Sequence, residues 1–259
     1  MTARLRSAFE GSTLVLTLHN PELRNALGAE MYAAGIEALS AAESNPDVRC
    51  VVITGEGGIF SAGANLLRIL GNRQKPLEAQ LESLETLNNW IEAIGTFPKP
   101  VLAAVEGAAV GAGFSLALAC DMIVAARNAV FVMAGSNVAL SPGGGASWSL
   151  ARKLPRQLVS QMLMLGERIS AERLHAIGMV NQLTDAGGAL GGALALADRL
   201  AARAPNAIAS IKELITEAPN HSLNQHLALE RNLYVRNLQH PNAGIGIEAF
   251  LARQTPRFE

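Results

Sequence analysis

Little in this chain ionises, and less oxidises. Of 259 residues, 17% are charged, 4% are aromatic and two are cysteine. Cys50 and Cys120 each lie inside an apolar run, as buried thiols in a reducing compartment do, and no C-x-x-C spacing offers a metal site. The net charge of −1 comes without the basic stripe that a nucleic-acid footprint requires. No run of eighteen apolar residues exists. The uncharged stretch Asn128–Ala151 is broken by Pro142 and by glycines, which argues against a membrane span. The opening MTARLRSAFEGS has two arginines but no apolar segment, so a signal peptide is not expected and the cytoplasm is the expected location. One further absence concerns chemistry. VMAGSNVALSPGGGASWSLA, Val132 to Ala151, has the Gly and Ser density of a site lining but contains no Asp, Glu, His, Lys, Arg, Cys or Tyr.

What is present is apolar and small. Hydrophobic residues make up 49% of a chain long enough for one large domain, and part of the apolar surface is expected to meet other copies of the chain. TLVLTLH (Thr13–His19) alternates like a half-buried strand. NPELRNAL breaks it and leads into a helix marked by Leu27, Met31, Ala34 and Ala38. RCVVITG is a short apolar strand, followed by the Gly-rich loop GEGGIFSAGANL. Leu77, Leu81, Leu84, Leu87, Ile91 and Ile94 mark a long amphipathic helix ending before Phe97-Pro98. KPVLAAVEG is the next strand. GAAVGAGFSLALACD then turns through glycines into a helix apolar on all sides and therefore buried, and MIVAARNAVFVM reads as strand, turn, strand. Helices are expected near Ser147–Lys153 and Arg156–Leu165, and from an N-cap at Ser170 to Ile177. Everything beyond Ala189 reads as helix, with Pro205 at a helix start. Physics alone therefore gives an α/β core followed by a helical C-terminal portion.

Several motifs are excluded. The Gly111–Gly113 pair fails the last glycine of G-x-G-x-x-G, no P-loop occurs, and Ser61 and Ser115 lack the flanking glycines of a nucleophile elbow. No His lies between Phe60 and Leu174. Two segments remain: GIFSAGANL (Gly58–Leu66), a small-residue loop after a strand, and VEGAAVGAGFSLALACD (Val105–Asp121), a Gly turn opening a buried helix. Glycines let a ligand approach the backbone, and the first N–H groups of a helix have no internal partner. Two such N–H groups from separate loops would bind an oxygen that becomes negative; equally, the glycines would serve tight packing alone.

These segments, about 48 residues apart, resemble the crotonase (enoyl-CoA hydratase/isomerase) superfamily. So do NPELRNAL, LSPGGGASWSLARKLPRQL, GERISAERLHAIGMVNQL and GIEAFLARQTPRF, and the likeness covers nearly the whole chain. The resemblance implies a spiral of ββα units over residues 1–190, a helical trimerisation portion over 191–259, and assembly as a homotrimer or hexamer. It implies a coenzyme A thioester as substrate, no other cofactor, and a place in fatty or aromatic acid catabolism. Carried over by position, the oxyanion-hole N–H groups come from Ala64 and Ala112. Arg24, Ala62 and Ala64 are implied CoA contacts, and Phe250 and Arg253 of a neighbouring subunit's tail are implied at the nucleotide end.

Hydration of an enoyl thioester needs a proton carrier for water and for Cα. At the two positions where hydratases of the family place Glu, this chain has Ser115 and Gly135; where some isomerases place Asp after the turn proline, it has Gly143. Ser115 is the polar residue left there to orient a water. Glu106 and Asp121 flank the key helix and read as structural; an acid of the Leu77–Ile94 helix, such as Glu82 or Glu85, is a further candidate to reach in, with no positional match to the family. The resemblance thus implies an enoyl-CoA hydratase or isomerase, with a non-hydrating acyl-CoA-binding member as the alternative.

Overall fold

The computed structural model describes residues 3–258. Strands β1 (Arg4–Glu10) and β2 (Thr13–His19) form an antiparallel hairpin that turns at Gly11, φ 58°. Helix α1 (Ala29–Ser44) leads to β3 (Cys50–Gly55), and α2 (Leu66–Asn72) and α3 (Leu77–Thr96) lead to β4 (Val101–Val105). A short strand β5 (Ala108–Val110) and the buried helix α4 (Ala112–Ala119) precede β6 (Met122–Ala126) and β7 (Val130–Val132). Helices α5 (Ala146–Lys153) and α6 (Arg156–Leu165) follow, then β8 (Arg168–Ser170), α7 (Ala171–Ala176) and β9 (Gln182–Thr184). The chain ends in α8 (Ala189–Ala201), α9 (Pro205–Glu217), α10 (Leu223–Leu238) and α11 (Pro241–Leu251).

Six strands form one sheet in the order β1-β2-β3-β4-β6-β9, parallel from β2 onward; β5-β7-β8 form a second, smaller sheet. Two successive turns of the spiral, β4-β5-α4 and β6-β7-α5, lay a strand in the large sheet, a short strand in the small one, then a helix. The central strands are almost wholly apolar because both faces are covered, Thr54 of β3 donating its hydroxyl to the Ala104 carbonyl. Val51 and Ile53 of β3 and Val101, Ala103 and Val105 of β4 face the main core, with α1, α3 and α4. Their alternates Cys50, Val52, Leu102 and Ala104 face α8, which meets them with Ala189, Ala193 and Ala197. That four-residue spacing puts three methyl groups on one stripe and lets the helix sit close to the sheet. On the inner side Trp90 of α3 is fully buried against α1, where a Cβ built at Gly35 would lie 2.2 Å from its ring.

The elements follow the sequence pattern except for five that it does not announce: β1, α2, β5, β8 and β9. α2 occupies a segment where Leu66, Leu67 and Leu70 are all exposed, so no buried stripe announces it. β5, β8 and β9 are three residues long and exist through pairing with β7 and β6. Ser170 does cap α7, accepting from the Arg173 N–H at 3.2 Å, and Pro205 does open α9. Residues 190 and 191, where the resemblance sets the start of the trimerisation portion, lie within α8, whose Ala189, Ala193 and Ala197 pack against the sheet. Helices α9–α11 carry exposed Ile215, Leu223, Phe250 and Leu251. They are tied to the core by Lys212, whose ammonium donates to the Ile94 and Lys99 carbonyls at 3.0 and 3.4 Å and pairs with Asp121 at 2.7 Å. No helix among the described residues is long and apolar enough to cross a membrane.

Candidate active site

Two loops converge at the start of α4. After β3 the chain turns through Gly57 and Gly58 (φ 74° and 75°) and runs alongside β5 as an added edge. The N–H of Phe60 donates to Glu106, that of Ser61 to Ala108, and that of Val110 back to Ser61, at 2.8, 3.0 and 2.9 Å. Gly63, φ 85°, is pressed onto the β5–α4 junction. A Cβ built on it would lie 2.4 Å from the Val110 carbonyl oxygen and 3.3 Å from the Ala112 nitrogen, so only glycine fits. The structure therefore brings the main chain beside Ala64 against the N-terminal residue of α4, Ala112. The neighbouring N–H groups are used: Ala62 donates to Arg24 at 2.9 Å, Gly63 to Ser61 Oγ at 3.0 Å and Gly111 to Val132 at 2.8 Å. Among the described residues neither Ala64 nor Ala112 donates its N–H in a turn, loop or cap hydrogen bond.

Ser115, one turn into α4, is buried, and its hydroxyl donates to the Gly143 carbonyl at 2.8 Å and lies 3.3 Å from that of Gly111. This bond pins the Pro142–Gly145 turn to α4. Leu87 and Ile91 of α3 lie on the turn's other side, within 3.4 and 3.9 Å of Cβ atoms built at Gly144 and Gly145.

The positions without carboxylates differ from one another. A Cβ built at Gly143 meets nothing within 4 Å, and Gly143 is not in the left-handed region; a side chain there enters open space. At Gly135 a Cβ would lie 2.8 Å from the Leu140 carbonyl oxygen, in a loop closed by the Leu140 N–H donating to Gly135 at 2.9 Å. That backbone has no room for glutamate.

The other acids have structural partners or face water. Glu106 caps α8, accepting from the N–H groups of Gly187 and Ala189 at 3.1 and 2.8 Å. Asp121 accepts from Val101 N–H and Lys212; burial pushes its carboxyl above the ordinary range although Lys212 opposes the shift. Glu82 and Glu85 are exposed on α3. No cluster of three metal-ligating side chains occurs among the described residues.

Arg24 and Ala62 do meet. Both line a cleft of about 410 Å³ with Val110, Val132, Asn137 and Arg168. Ala64 and Ala112 each lie two residues beyond one of its lining residues. Phe250 and Arg253 are outside that lining; Phe250 is 82% exposed on α11. Sequence reasoning missed Asn25. It is fully buried at φ 56°, its side-chain amide donates to the Glu56 and Ile59 carbonyls at 2.8 and 2.9 Å, and its side-chain oxygen accepts from Asn20 N–H at 3.0 Å. Asparagine's tolerance of the left-handed region was the available signal.

Residues 8–259 match the family described as Enoyl-CoA hydratase/isomerase. The chain belongs to that family. The family is one of enzymes, acting on CoA thioesters, and the ββα spiral is its crotonase fold. Among solved structures, the chain is similar to an enoyl-CoA hydratase from Polaromonas sp. JS666, with 63% identity, a TM-score of 0.98, and 99% of this chain and 100% of that one covered. It is 35% identical to the 1,2-epoxyphenylacetyl-CoA isomerase of Escherichia coli strain K12, over 97% of each chain. It is 34% identical to the 2,3-dehydroadipyl-CoA hydratase of the same strain, over 95% of this chain and 94% of that one.

Proposed function

We propose that the amides of Ala64 and Ala112 form an oxyanion hole for the carbonyl of an enoyl-CoA thioester, and that the protein hydrates or isomerises that thioester. The observation that supports this reading is the contact of Gly63 with the Val110–Ala112 junction, which brings the main chain next to Ala64 against the first residue of α4. As the enoyl system gains enolate character, charge accumulates on the thioester oxygen. Ala112 N–H meets that charge at the positive end of α4, and Ala64 N–H meets it from the loop. A donor of this kind is worth about 3–4 kcal/mol in the transition state.

Ser115 commits its proton to Gly143 in the resting protein, so its part in the reaction is to hold the glycine turn under the thioester. Proton transfer then falls to water or to groups on the substrate. Arg24 and Ala62, in the 410 Å³ cleft, receive the CoA moiety, with Arg24 facing its phosphates. Phe250 and Arg253 reach the nucleotide end from a neighbouring copy in a homotrimer or hexamer, and residues 191–259 supply the contacts between copies. The relatives are named for 1,2-epoxyphenylacetyl-CoA and 2,3-dehydroadipyl-CoA, which supports thioesters of this kind as substrates, in fatty or aromatic acid catabolism; the cytoplasm is the proposed location.

A second reading, an acyl-CoA-binding member without hydration chemistry, is favoured by the closed backbone at Gly135 and the lack of carboxylates at residues 115 and 143. One experiment separates them. The purified protein is mixed with crotonyl-, octenoyl-, cinnamoyl- and 2,3-dehydroadipyl-CoA, the conjugated absorbance is followed, and products are weighed by mass spectrometry. Gain of one water, or a shifted double bond at unchanged mass, supports the enzyme. Binding without turnover supports the second reading, and neither binding nor turnover refutes both.

A further inference from the structure

Ser61 is wholly buried, and its hydroxyl is used twice. Oγ donates to the Asn25 carbonyl at 2.8 Å and accepts from the Gly63 N–H at 3.0 Å. Its main chain pairs with β5 through Ala108 and Val110. Its Cβ lies under the second residue of α4, where a Cβ built at Gly113 would come within 2.7 Å of it. One side chain thus touches the Asn20–Leu27 turn, the Ile59–Asn65 loop and the start of α4.

Peptide planarity shows what this contact controls. The Ala64 N–H shares a rigid plane with the Gly63 carbonyl. That carbonyl accepts from Leu27 N–H at 2.7 Å, so in a trans peptide the Ala64 N–H points away from Leu27. Gly63, at φ 85°, joins this plane to the preceding one and has no side chain to restrain it. The preceding plane is held through the Gly63 N–H, and its partner is Ser61 Oγ. The same hydroxyl holds the Asn25 carbonyl, and Asn25 in turn fixes the loop entrance at Glu56 and Ile59. Removing Oγ leaves a buried N–H and a buried carbonyl without this partner, at the hinge that aims the Ala64 amide.

We infer that Ser61 is the positioning residue for the Ala64 amide: a buried hydroxyl that fixes the direction of one oxyanion donor while touching no substrate. The inference rests on the oxyanion-hole reading proposed above. Three measurements test it on the full-length protein: thermal unfolding, steady-state kinetics, and the absorbance of bound cinnamoyl-CoA within the first turnover. Carbonyl polarisation moves that absorbance to longer wavelength. In Ser61→Ala, kcat falls at least about tenfold, a part of the 10²–10³ lost with a whole donor. Kd for free CoA, which adjoins this turn through Arg24, rises by a smaller factor than kcat falls. The absorbance shift shrinks. Ser61→Cys keeps the size of the side chain with a weaker donor and falls between wild type and Ser61→Ala. A folded Ser61→Ala with wild-type kcat and shift overturns the assignment. If Ser61→Ala does not fold, Ser61→Cys decides: a reduced shift supports the assignment, and a wild-type shift overturns it. Wild-type protein that binds cinnamoyl-CoA with no shift overturns the oxyanion hole itself, and this inference with it.

Discussion

Replacing Ala112 by proline removes one N–H and disturbs little else. Ala112 is the first residue of α4, where an N–H has no partner within the helix and where proline's fixed φ suits the backbone. Gly111 before it has φ 51° and ψ −120°, outside the helical region that a following proline disfavours. The Ala112 N–H makes no turn, loop or cap hydrogen bond among the described residues, so folding forfeits none of these. Stability should change by no more than about 1 kcal/mol, since the position tolerates proline. Turnover should fall by about 10²–10³ in kcat, or about 2.7–4 kcal/mol, the cost of one oxyanion donor. The proline ring occupies the space the N–H faced, so KM for the acyl thioester rises too. Kd for free CoA, measured by calorimetry, should stay within about threefold, because the nucleotide is held elsewhere. Ala112→Gly is the companion variant. It keeps the N–H, costs up to about 1 kcal/mol of helix stability and should retain turnover. Ala112→Pro turning over the best enoyl-CoA within about threefold of wild type would refute the reasoning, because catalysis would then not pass through this donor.

Other perturbations are equally direct. Gly143→Asp enters open space and should fold like wild type while raising the hydration or isomerisation rate; Gly135→Glu meets the Leu140 carbonyl at 2.8 Å and should lose about 1–3 kcal/mol in a urea titration. An unstable Gly143→Asp or a wild-type-like Gly135→Glu contradicts the account of these two positions. Lys212→Met strips Asp121 of its cation and should destabilise by about 3 kcal/mol at pH 7, the low end for a broken buried pair because the Asp121 side chain stays 27% exposed. Burial already raises the native Asp121 pKa, and losing Lys212 raises it further. The native state then holds this proton to a higher pH than the unfolded chain. The penalty from this group is absent below the ordinary carboxylate range and grows as pH rises through it, so the gap between the urea midpoints of variant and wild type should narrow toward about pH 4, leaving the part that comes from the Ile94 and Lys99 carbonyls. Cys50 and Cys120 are both buried, burial pushing Cys50 up to about 12 and Cys120 higher still, so an aromatic disulfide reagent should label neither until the protein unfolds.

The parts of the fold legible in the sequence were those with strong periodicity. Leu14, Leu16 and Leu18 announced β2, and Leu87, Ile91 and Ile94 announced the buried face of α3. The short strands β8 and β9 have no such signal, because their neighbours across the sheet create them. α2 was hidden for the opposite reason: its leucines face outward, and its N-cap Asn65, accepting from Leu67 and Arg68 N–H at 3.0 and 3.3 Å, was the cue left unread. At the site, the two glycine-bearing segments were visible as small-residue loops. Their contact at Gly63 was not, since φ and close approach are three-dimensional quantities. The difference between Gly135 and Gly143 was likewise invisible: the letters are identical, and only the surrounding carbonyls distinguish a filled position from an empty one. Ser61 drew notice only as a failed nucleophile elbow, because a hydroxyl's value as a brace depends on partners 36 residues earlier and two residues later.

The Lys212 tie also bears on how the chain comes off the ribosome. Everything it grips, at Ile94, Lys99 and Asp121, is synthesised long before residue 212 emerges. Synthesis runs from the N-terminus, so all three groups precede α9 in every nascent chain. Without α9 that end of the spiral would keep a half-buried anion and two carbonyls that lack this donor. α9 closes that end with a single ammonium, so the last helices and the spiral complete each other through one side chain.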